Sequence, residues 1–82
     1  MLNAFPASFC IVDDDSDFVE FLADYLRARG AAASGWSSAE AFIADGGAAK
    51  FDFFIIDLNL GQIDGVDLIT LIRAQTNKGI LV

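Results

Sequence analysis

Three aspartates are the side chains of this sequence best suited to chemistry, and they fall in two places. Asp13 and Asp14 follow a short apolar segment near the N-terminus, and Asp57 follows a second apolar segment in the middle of the chain. If the two segments are neighbouring parallel strands, their carboxyl ends bring the three carboxylates together. Carboxylates about 5 Å apart repel by roughly 3 kcal/mol per pair at an effective dielectric of about 20, so a bound cation is expected to offset the cost.

Metal-assisted phosphoryl transfer is the chemistry that such a cluster supports. Oxygen ligands alone favour Mg²⁺ or Mn²⁺, and Mg²⁺ keeps coordination positions open for phosphate oxygens. The metal would neutralise charge while a carboxylate attacks phosphorus. Asp57 is the better nucleophile candidate because a buried strand holds it in one position. The sequence has no histidine and one cysteine, Cys10, which excludes an internal disulfide, a zinc site and a Cys/His nucleophile pair.

The composition indicates one small soluble domain. The chain has 82 residues, 55% of them hydrophobic, and a net charge of −7. This acidic balance argues against a nucleic-acid ligand, since such affinity comes mainly from Lys and Arg. The apolar runs are too short to span a bilayer, and the N-terminus lacks the pattern of a signal peptide. We therefore expect a cytoplasmic protein with no membrane contact.

The elements that position the aspartates alternate between strands and helices. Ser8 to Val12 and Phe53 to Ile56 are continuous apolar segments that end at carboxylates, which predicts strands buried on both faces. Ala31 to Trp36 is predicted as another strand because it lies between two helical patterns. Gly79 to Val82 reads as the beginning of a fourth strand, so we expect the chain to stop inside that element.

Three helices are predicted between these strands. The first has Ser16 or Asp15 as its N-cap and ends before Gly30. The second begins at an S-x-x-E capping box formed by Ser37 and Glu40. The apolar residues that mark the first helix are Phe18, Phe21, Leu22, Tyr25 and Leu26, and those that mark the third are Val66, Ile69 and Ile72.

This order predicts an α/β fold, with right-handed crossovers and a parallel sheet that carries helices on both faces. Three sequence blocks then resemble the response-regulator receiver domain: Phe9 to Asp15, Phe54 to Leu60, and Asp64-Gly65. The resemblance implies the flavodoxin-like, doubly wound fold with strand order 2-1-3-4. It covers residues 1–82 as a single, incomplete domain that lacks the family's fourth helix, fifth strand and fifth helix.

The same resemblance implies a role for each candidate site residue. Asp57 would accept a phosphoryl group from a phosphohistidine on a sensor histidine kinase. Asp14 and Asp57 would bind Mg²⁺ directly, Asp13 would hold a metal-bound water, and Asn59 would lend its backbone carbonyl. The protein would then be a phosphorelay signalling module of a two-component system and not an enzyme.

The sequence also departs from the family. Gly61 stands where a proline is usual, which gives the loop more backbone freedom. The family's switch Ser/Thr and its Lys have no counterpart, so phosphorylation is expected to be impaired, because that cation would contact the acyl phosphate. Both a fragment and a naturally short protein are compatible with the sequence.

Other interpretations stay open on sequence grounds. A receiver-like interaction module could act through dimerisation, with self-association expected at the exposed edge of the fourth strand and an uncovered sheet face. The D-x-D pattern at Asp13 to Asp15 also resembles the first motif of haloacid-dehalogenase-type phosphatases, although Asp17 stands where Thr or Val is usual. Asp13 to Asp17 could instead be only a solvated turn and N-cap. A calcium loop starting at Asp13 is disfavoured, since Phe18 occupies its glycine position.

Overall fold

Seven elements alternate along the chain in the computed structural model, which describes residues 7–45, 51–58, 65–76 and 79–81. The strands are β1 (Ser8–Val12), β2 (Ala32–Trp36), β3 (Phe53–Ile56) and β4 (Gly79–Leu81). The helices are α1 (Ser16–Ala28), α2 (Ala39–Asp45) and α3 (Gly65–Arg73). Each strand and helix expected from the sequence is present.

The four strands form one parallel sheet in the order β2-β1-β3-β4. In the register between β1 and β3, Val12 lies opposite Ile56. The residues that follow these two positions are Asp13 and Asp57, so both aspartates emerge at the same end of the sheet. The predicted α/β class and strand order are therefore confirmed, and the central strand pair determines where the acids lie.

Both ends of α1 follow from side-chain and backbone chemistry. The carboxylate of Asp15 accepts a hydrogen bond from the Phe18 N–H at 3.1 Å, so Asp15 is the N-cap of the two candidates. At the other end, Gly30 adopts a positive φ of 92°. There the Gly30 and Ala31 N–H groups donate to the carbonyls of Arg27 and Leu26, the paired bonds of a Schellman motif. Gly30 thus ends the helix as predicted.

The start of α2 corrects one detail of the sequence interpretation. The Ser38 Oγ accepts from the Ala41 N–H at 3.1 Å, and the Ser38 carbonyl accepts from Phe42 N–H at 3.3 Å. Ser38 is therefore the N-cap in place of the predicted Ser37, and Ala41 at the third helical position cannot make the reciprocal bond that the predicted capping box assigned to Glu40. Two consecutive serines offer the same side-chain chemistry, and only the backbone geometry decides between them.

Helices on both faces of the sheet create two apolar clusters. The larger one joins the sheet to α2 and α3, and Cys10 belongs to it as a buried thiol whose pKa is raised to about 12 by burial. The smaller one lies under α1, which packs over β1 and β2. The buried members of the larger cluster are Cys10, Val12, Ala39, Phe42, Phe51, Phe54, Ile56, Leu68 and Ile72, and those of the smaller are Ile11, Val19, Ala23 and Ala33.

The residues of α1 and α3 that are buried differ in part from those that the apolar spacing predicted to face the core. The buried residues of α1 are Val19 and Ala23, whereas Phe21 is 65% exposed. In α3, Leu68 and Ile72 are buried but Val66 is 58% exposed. Small residues allow α1 to lie close to the sheet, which leaves its aromatic side chains on the outside. Apolar periodicity therefore predicted the helices correctly and the buried face only in part.

The third strand is covered more completely on one face than on the other. Phe54 and Ile56 are fully or almost fully buried on the face shared with α2 and α3. On the α1 face, Phe53 is 46% exposed and stacks on Phe9 with ring centroids 5.3 Å apart. The prediction of a strand buried on both faces was thus wrong for the Phe53 side within the described part of the chain.

Among the described helices, none has the length and apolar character needed to cross a membrane.

Candidate functional site

Backbone hydrogen bonds at the end of the sheet position the two key loops. The Asp57 N–H donates to the Val12 carbonyl at 2.9 Å, which extends the pairing of β1 and β3 by one residue. The Asp13 N–H donates to the Trp36 carbonyl at 3.1 Å, which likewise extends the pairing of β1 and β2. Asp13 and Asp57 are therefore anchored to the sheet through their own amides.

The carboxylates of Asp13, Asp14 and Asp57 converge at this edge. One oxygen from each residue lies within 4.8 Å of the others, which is close enough for a single cation to contact all three. Asp13 and Asp57 are partly buried, and Asp14 is exposed. The sequence-derived expectation that the three acids form one group agrees with this geometry. Their separate roles stay predictions.

Asp13 bears much of the electrostatic cost of the cluster. Partial burial raises the pKa of its carboxyl, and the negative charges of Asp57, Asp14 and Asp15 raise it further. A hydrogen bond from the Asp15 N–H to Asp13 Oδ1, at 2.9 Å, opposes these effects. The Asp57 charge acts on Asp13 because the two strand ends bring their carboxylates close together.

A short turn holds this acidic loop between β1 and α1. Asp13 accepts from the Asp15 N–H, and Asp15 in turn accepts from the Phe18 N–H. Such Asx-type turns use a carboxylate to fix the backbone two residues later. Sequence reasoning assigned Asp15 to the helix cap but did not assign its amide to Asp13. The D-x-D spacing was the signal that could have indicated this turn.

Trp36 supports the same loop from the neighbouring strand. Its carbonyl accepts the Asp13 N–H, its indole N–H donates to Asp45 Oδ2 at 2.6 Å, and its ring meets Phe42 edge-on with centroids 5.1 Å apart. Trp36 was predicted only to pack, and its backbone contact with Asp13 could not be read from the sequence. The remaining predicted ligand, the backbone carbonyl of Asn59, lies outside the described residues, as does Gly61.

The donor set fits a hard divalent cation. All three converging groups are carboxylates, and among the described residues no imidazole or second thiol competes with them. Oxygen-only sites of this kind suit Mg²⁺, which typically takes one or two carboxylates and keeps several waters. Solvent reaches the cluster, because Asp14 is exposed and the other two aspartates are only partly buried.

Two apolar side chains that lie close to the acids in sequence are exposed. Leu58, the residue after Asp57, is 43% exposed, and Phe18, in the first turn of α1, is 40% exposed.

Comparison with known proteins agrees with this fold. The sequence profile of the response regulator receiver domain matches residues 9–82. The chain belongs to this family. No curated protein matches it. Receiver domains are in general phosphoacceptor signalling modules of two-component systems and not catalytic enzymes, and they typically bind Mg²⁺ through acidic residues.

Solved structures give the same result. A Burkholderia pseudomallei response regulator, solved with a phosphorylated aspartic acid, a calcium ion and citrate, is 31% identical; the match has a TM-score of 0.80 and covers 90% of this chain and 44% of that one. A Clostridium difficile two-component response regulator is 26% identical, with a TM-score of 0.81 and coverages of 90% and 61%. A CheY-like receiver domain from Methylobacillus flagellatus is 23% identical, with a TM-score of 0.78 and coverages of 93% and 67%. The chain thus spans 44% to 67% of the length of these proteins.

Proposed function

We propose that this chain is a Mg²⁺-dependent phosphoryl acceptor, with Asp57 as the residue that becomes phosphorylated. In this role Asp14 and Asp57 bind the cation directly, Asp13 holds a metal-bound water, and Asn59 contributes its backbone carbonyl. The donor is a phosphohistidine on a sensor histidine kinase, and such signalling would place the domain in the cytoplasm. The domain is modified by the reaction and does not turn over a substrate.

Convergence of three carboxylates on one point is the observation that carries this proposal. Asp57 is held by its amide to Val12, while the cluster within 4.8 Å supplies the ligands for a cation. Bound Mg²⁺ would lower the repulsion between the Asp57 carboxylate and an incoming phosphoryl group. The Burkholderia pseudomallei relative, which contains a phosphorylated aspartic acid and a divalent cation, supports the same assignment here.

The balance of the reaction is simple. An Asp57 oxygen forms a bond to phosphorus as the bond from phosphorus to the donor nitrogen breaks, and the donor imidazole keeps that electron pair and takes up a proton. Phosphate charge is then shared with the cation.

Phosphorylation by a small-molecule donor tests the proposal without the cognate kinase. The purified protein is incubated with acetyl phosphate or phosphoramidate, with Mg²⁺ or with a chelator, and acid-labile phosphate is measured by intact-mass analysis. We expect incorporation only with Mg²⁺, and none in Asp57→Asn. Glu20→Gln is the matched control, because it removes one exposed acid of α1 that lies outside the cluster.

Each outcome has a defined meaning. Equal incorporation by the wild type and Asp57→Asn would exclude Asp57 as the acceptor. Incorporation that ignores the chelator would exclude the metal requirement. Steady release of phosphate from a phosphoester, dependent on Asp13, would instead favour the phosphatase interpretation.

A second candidate function is self-association, and a different observation favours it. On the α1 face of the sheet, an apolar cleft of about 180 Å³ is lined by Phe9, Phe53 and Leu81, among others. Phe53 is 46% exposed and Leu81 is 65% exposed. In the described part of the chain β4 pairs only with β3, so its other edge presents unpaired backbone groups. A second copy of the chain could cover both.

Salt dependence separates this association from simple charge attraction. Two copies with a net charge of −7 repel each other, so apolar pairing should strengthen as salt screens that repulsion. We expect sedimentation velocity to show a dimer fraction that rises from low to high salt, and Phe53→Ser to remove it. Phe21→Ser, which changes a still more exposed ring on α1, is the control. A wild-type monomer at all salt concentrations would contradict this second function.

A further inference from the structure

Gly65 is the first residue of α3 and lies directly against the backbone that carries Asp57. It is buried, and its N–H donates to the Leu58 carbonyl at 3.0 Å. The N-terminus of α3 is therefore attached to the segment that follows β3. Sequence reasoning used Asp64-Gly65 only as part of a family pattern and gave Gly65 no role of its own.

Lack of space, and not an unusual backbone conformation, is what requires glycine here. A Cβ placed on Gly65 would lie 2.5 Å from the Leu58 Cα and 2.9 Å from the Asp57 carbonyl carbon, and closer still to the Asp57 carbonyl oxygen. Real Cβ atoms essentially never approach other heavy atoms closer than 3.0 Å. Among the described glycines, a positive φ is found at Gly30 and not at Gly65. All three clashes are with backbone atoms, which cannot rotate away.

We infer that Gly65 is a positioning residue for the acidic site: its missing side chain lets α3 rest on the Asp57–Leu58 backbone and fixes where the Asp57 carboxylate meets Asp13 and Asp14. This inference rests on the proposed function of that site. A methyl group at residue 65 must push the helix and the Asp57 backbone apart by at least roughly 0.5 Å, which is the tolerance to which a functional constellation has to be held.

The contact with Gly65 bears on how firmly the backbone holds the Asp57 carboxylate. Asp57 lies one residue beyond β3 and is joined to β1 by its N–H bond to Val12. Displacement of the Asp57 carbonyl turns the peptide unit and weakens the hold on the carboxylate. Outer contacts that orient a metal ligand are typically worth 10- to 100-fold in metal affinity, so we expect Mg²⁺ binding to weaken by about that factor.

A second glycine of the same fold provides a matched control. A Cβ on Gly35 would also come closer than 3.0 Å to another atom, but that atom is the Val19 Cγ1, a side-chain methyl under α1. Gly65→Ala and Gly35→Ala thus each introduce a methyl group into a contact shorter than 3.0 Å, one against the Asp57 and Leu58 backbone and one against a core side chain. Because both variants are measured where they are folded, a loss of Mg²⁺ affinity confined to Gly65→Ala would not follow from lost stability.

The experiment measures two quantities for the wild type and both variants. Isothermal titration with Mg²⁺ gives the affinity, at a temperature where each protein is folded by circular dichroism. Amide hydrogen exchange gives the protection of the Asp57 N–H relative to the amides of β3. For Gly65→Ala we expect affinity reduced about 10- to 100-fold and faster exchange at Asp57. For Gly35→Ala we expect both quantities to match the wild type.

Several results would overturn the inference. The inference would be wrong if Gly65→Ala bound Mg²⁺ with the wild-type affinity and its Asp57 N–H were equally protected from exchange. It would also be wrong if Gly65→Ala and Gly35→Ala lost Mg²⁺ affinity equally. A Gly65→Ala chain that does not fold would make Gly65 structural and not positioning. If the wild type itself bound no Mg²⁺, the proposed function would fail, and the exchange rate at Asp57 would still decide whether Gly65 positions that residue.

Discussion

Neutralising Asp13 should stabilise the metal-free protein while weakening its response to Mg²⁺. The substitution Asp13→Asn removes one negative charge from the cluster but keeps an oxygen that can accept the Asp15 N–H bond, so the loop geometry is preserved. Asp13 is the informative position because burial and three neighbouring charges raise its pKa. A raised carboxyl pKa means that the folded state disfavours the ionised form.

The magnitude follows from the distances within the site. At a separation of up to 4.8 Å, two carboxylates repel by about 3 kcal/mol at an effective dielectric of about 20. Solvent reaches Asp14 and part of the other two residues, so screening reduces this value. We expect a gain of about 1 kcal/mol for the metal-free variant, which corresponds to a rise in Tm of roughly 4–8 °C for a domain of this size.

Thermal unfolding with and without Mg²⁺ measures both effects at once. The wild type should gain stability when Mg²⁺ is added, because ligand binding to the folded state adds RT ln(1 + [L]/Kd) to the free energy of unfolding. The Asp13→Asn variant should have the higher Tm in chelator, and its Tm should rise less when Mg²⁺ is added. The two melting curves should therefore lie closer together, or cross, at high Mg²⁺ concentration.

Glu20→Gln controls for net charge, since it makes the same change in charge on an exposed part of α1. This control should neither gain stability in chelator nor lose its response to the cation. If Asp13→Asn proved less stable than the wild type in chelator, with circular dichroism unchanged, the repulsion argument would be refuted. If it gained as much from Mg²⁺ as the wild type does, Asp13 would have no part in holding the cation.

Three further predictions concern stability. Ionised Asp13 destabilises the metal-free fold at pH values above its raised folded-state pKa. This destabilisation disappears as the pH falls from the folded-state pKa towards the unfolded value of 3.8. Denaturant titrations in chelator should therefore show a rise in the free energy of unfolding over this pH range for the wild type and not for Asp13→Asn. Asp15→Ala removes the α1 cap and should cost about 0.5–2 kcal/mol in the same titrations. Phe54→Ala empties a fully buried position and should cost about 3–5 kcal/mol, whereas a loss below 1 kcal/mol would contradict the core assignment.

Most of the fold could be predicted because local signals and topology agree. Apolar runs that end in aspartate gave β1 and β3, and glycine with an N-cap residue gave the limits of α1. Face assignments were less successful. The aromatic residues of α1 point outwards because small residues let that helix approach the sheet, and a count of apolar positions cannot show which side of a helix meets a neighbour.

The sequence predicted which acids form the site, but not most of the contacts that hold them in place. Asp13 and Asp57 each follow a strand directly, so the parallel order of β1 and β3 is enough to bring these two acids together. Apart from the Asp13–Asp15 turn, which the D-x-D spacing could have indicated, contacts made by backbone atoms had no sequence signature. The hydrogen bond from the Asp13 N–H to the Trp36 carbonyl depends on the pairing of β1 with β2. The contact of Gly65 with Asp57 depends on the path by which α3 returns to the sheet.

Cation binding should not depend on β4. The described contacts that position the three carboxylates come from the β1–β2 and β1–β3 pairs, the turn between Asp13 and Asp15, and the start of α3. The strand β4 contributes none of these contacts. Mg²⁺ affinity should therefore survive the substitution Leu81→Ser. If Leu81→Ser lowered the Mg²⁺ affinity of protein that stayed folded, the cluster would rely on the whole sheet.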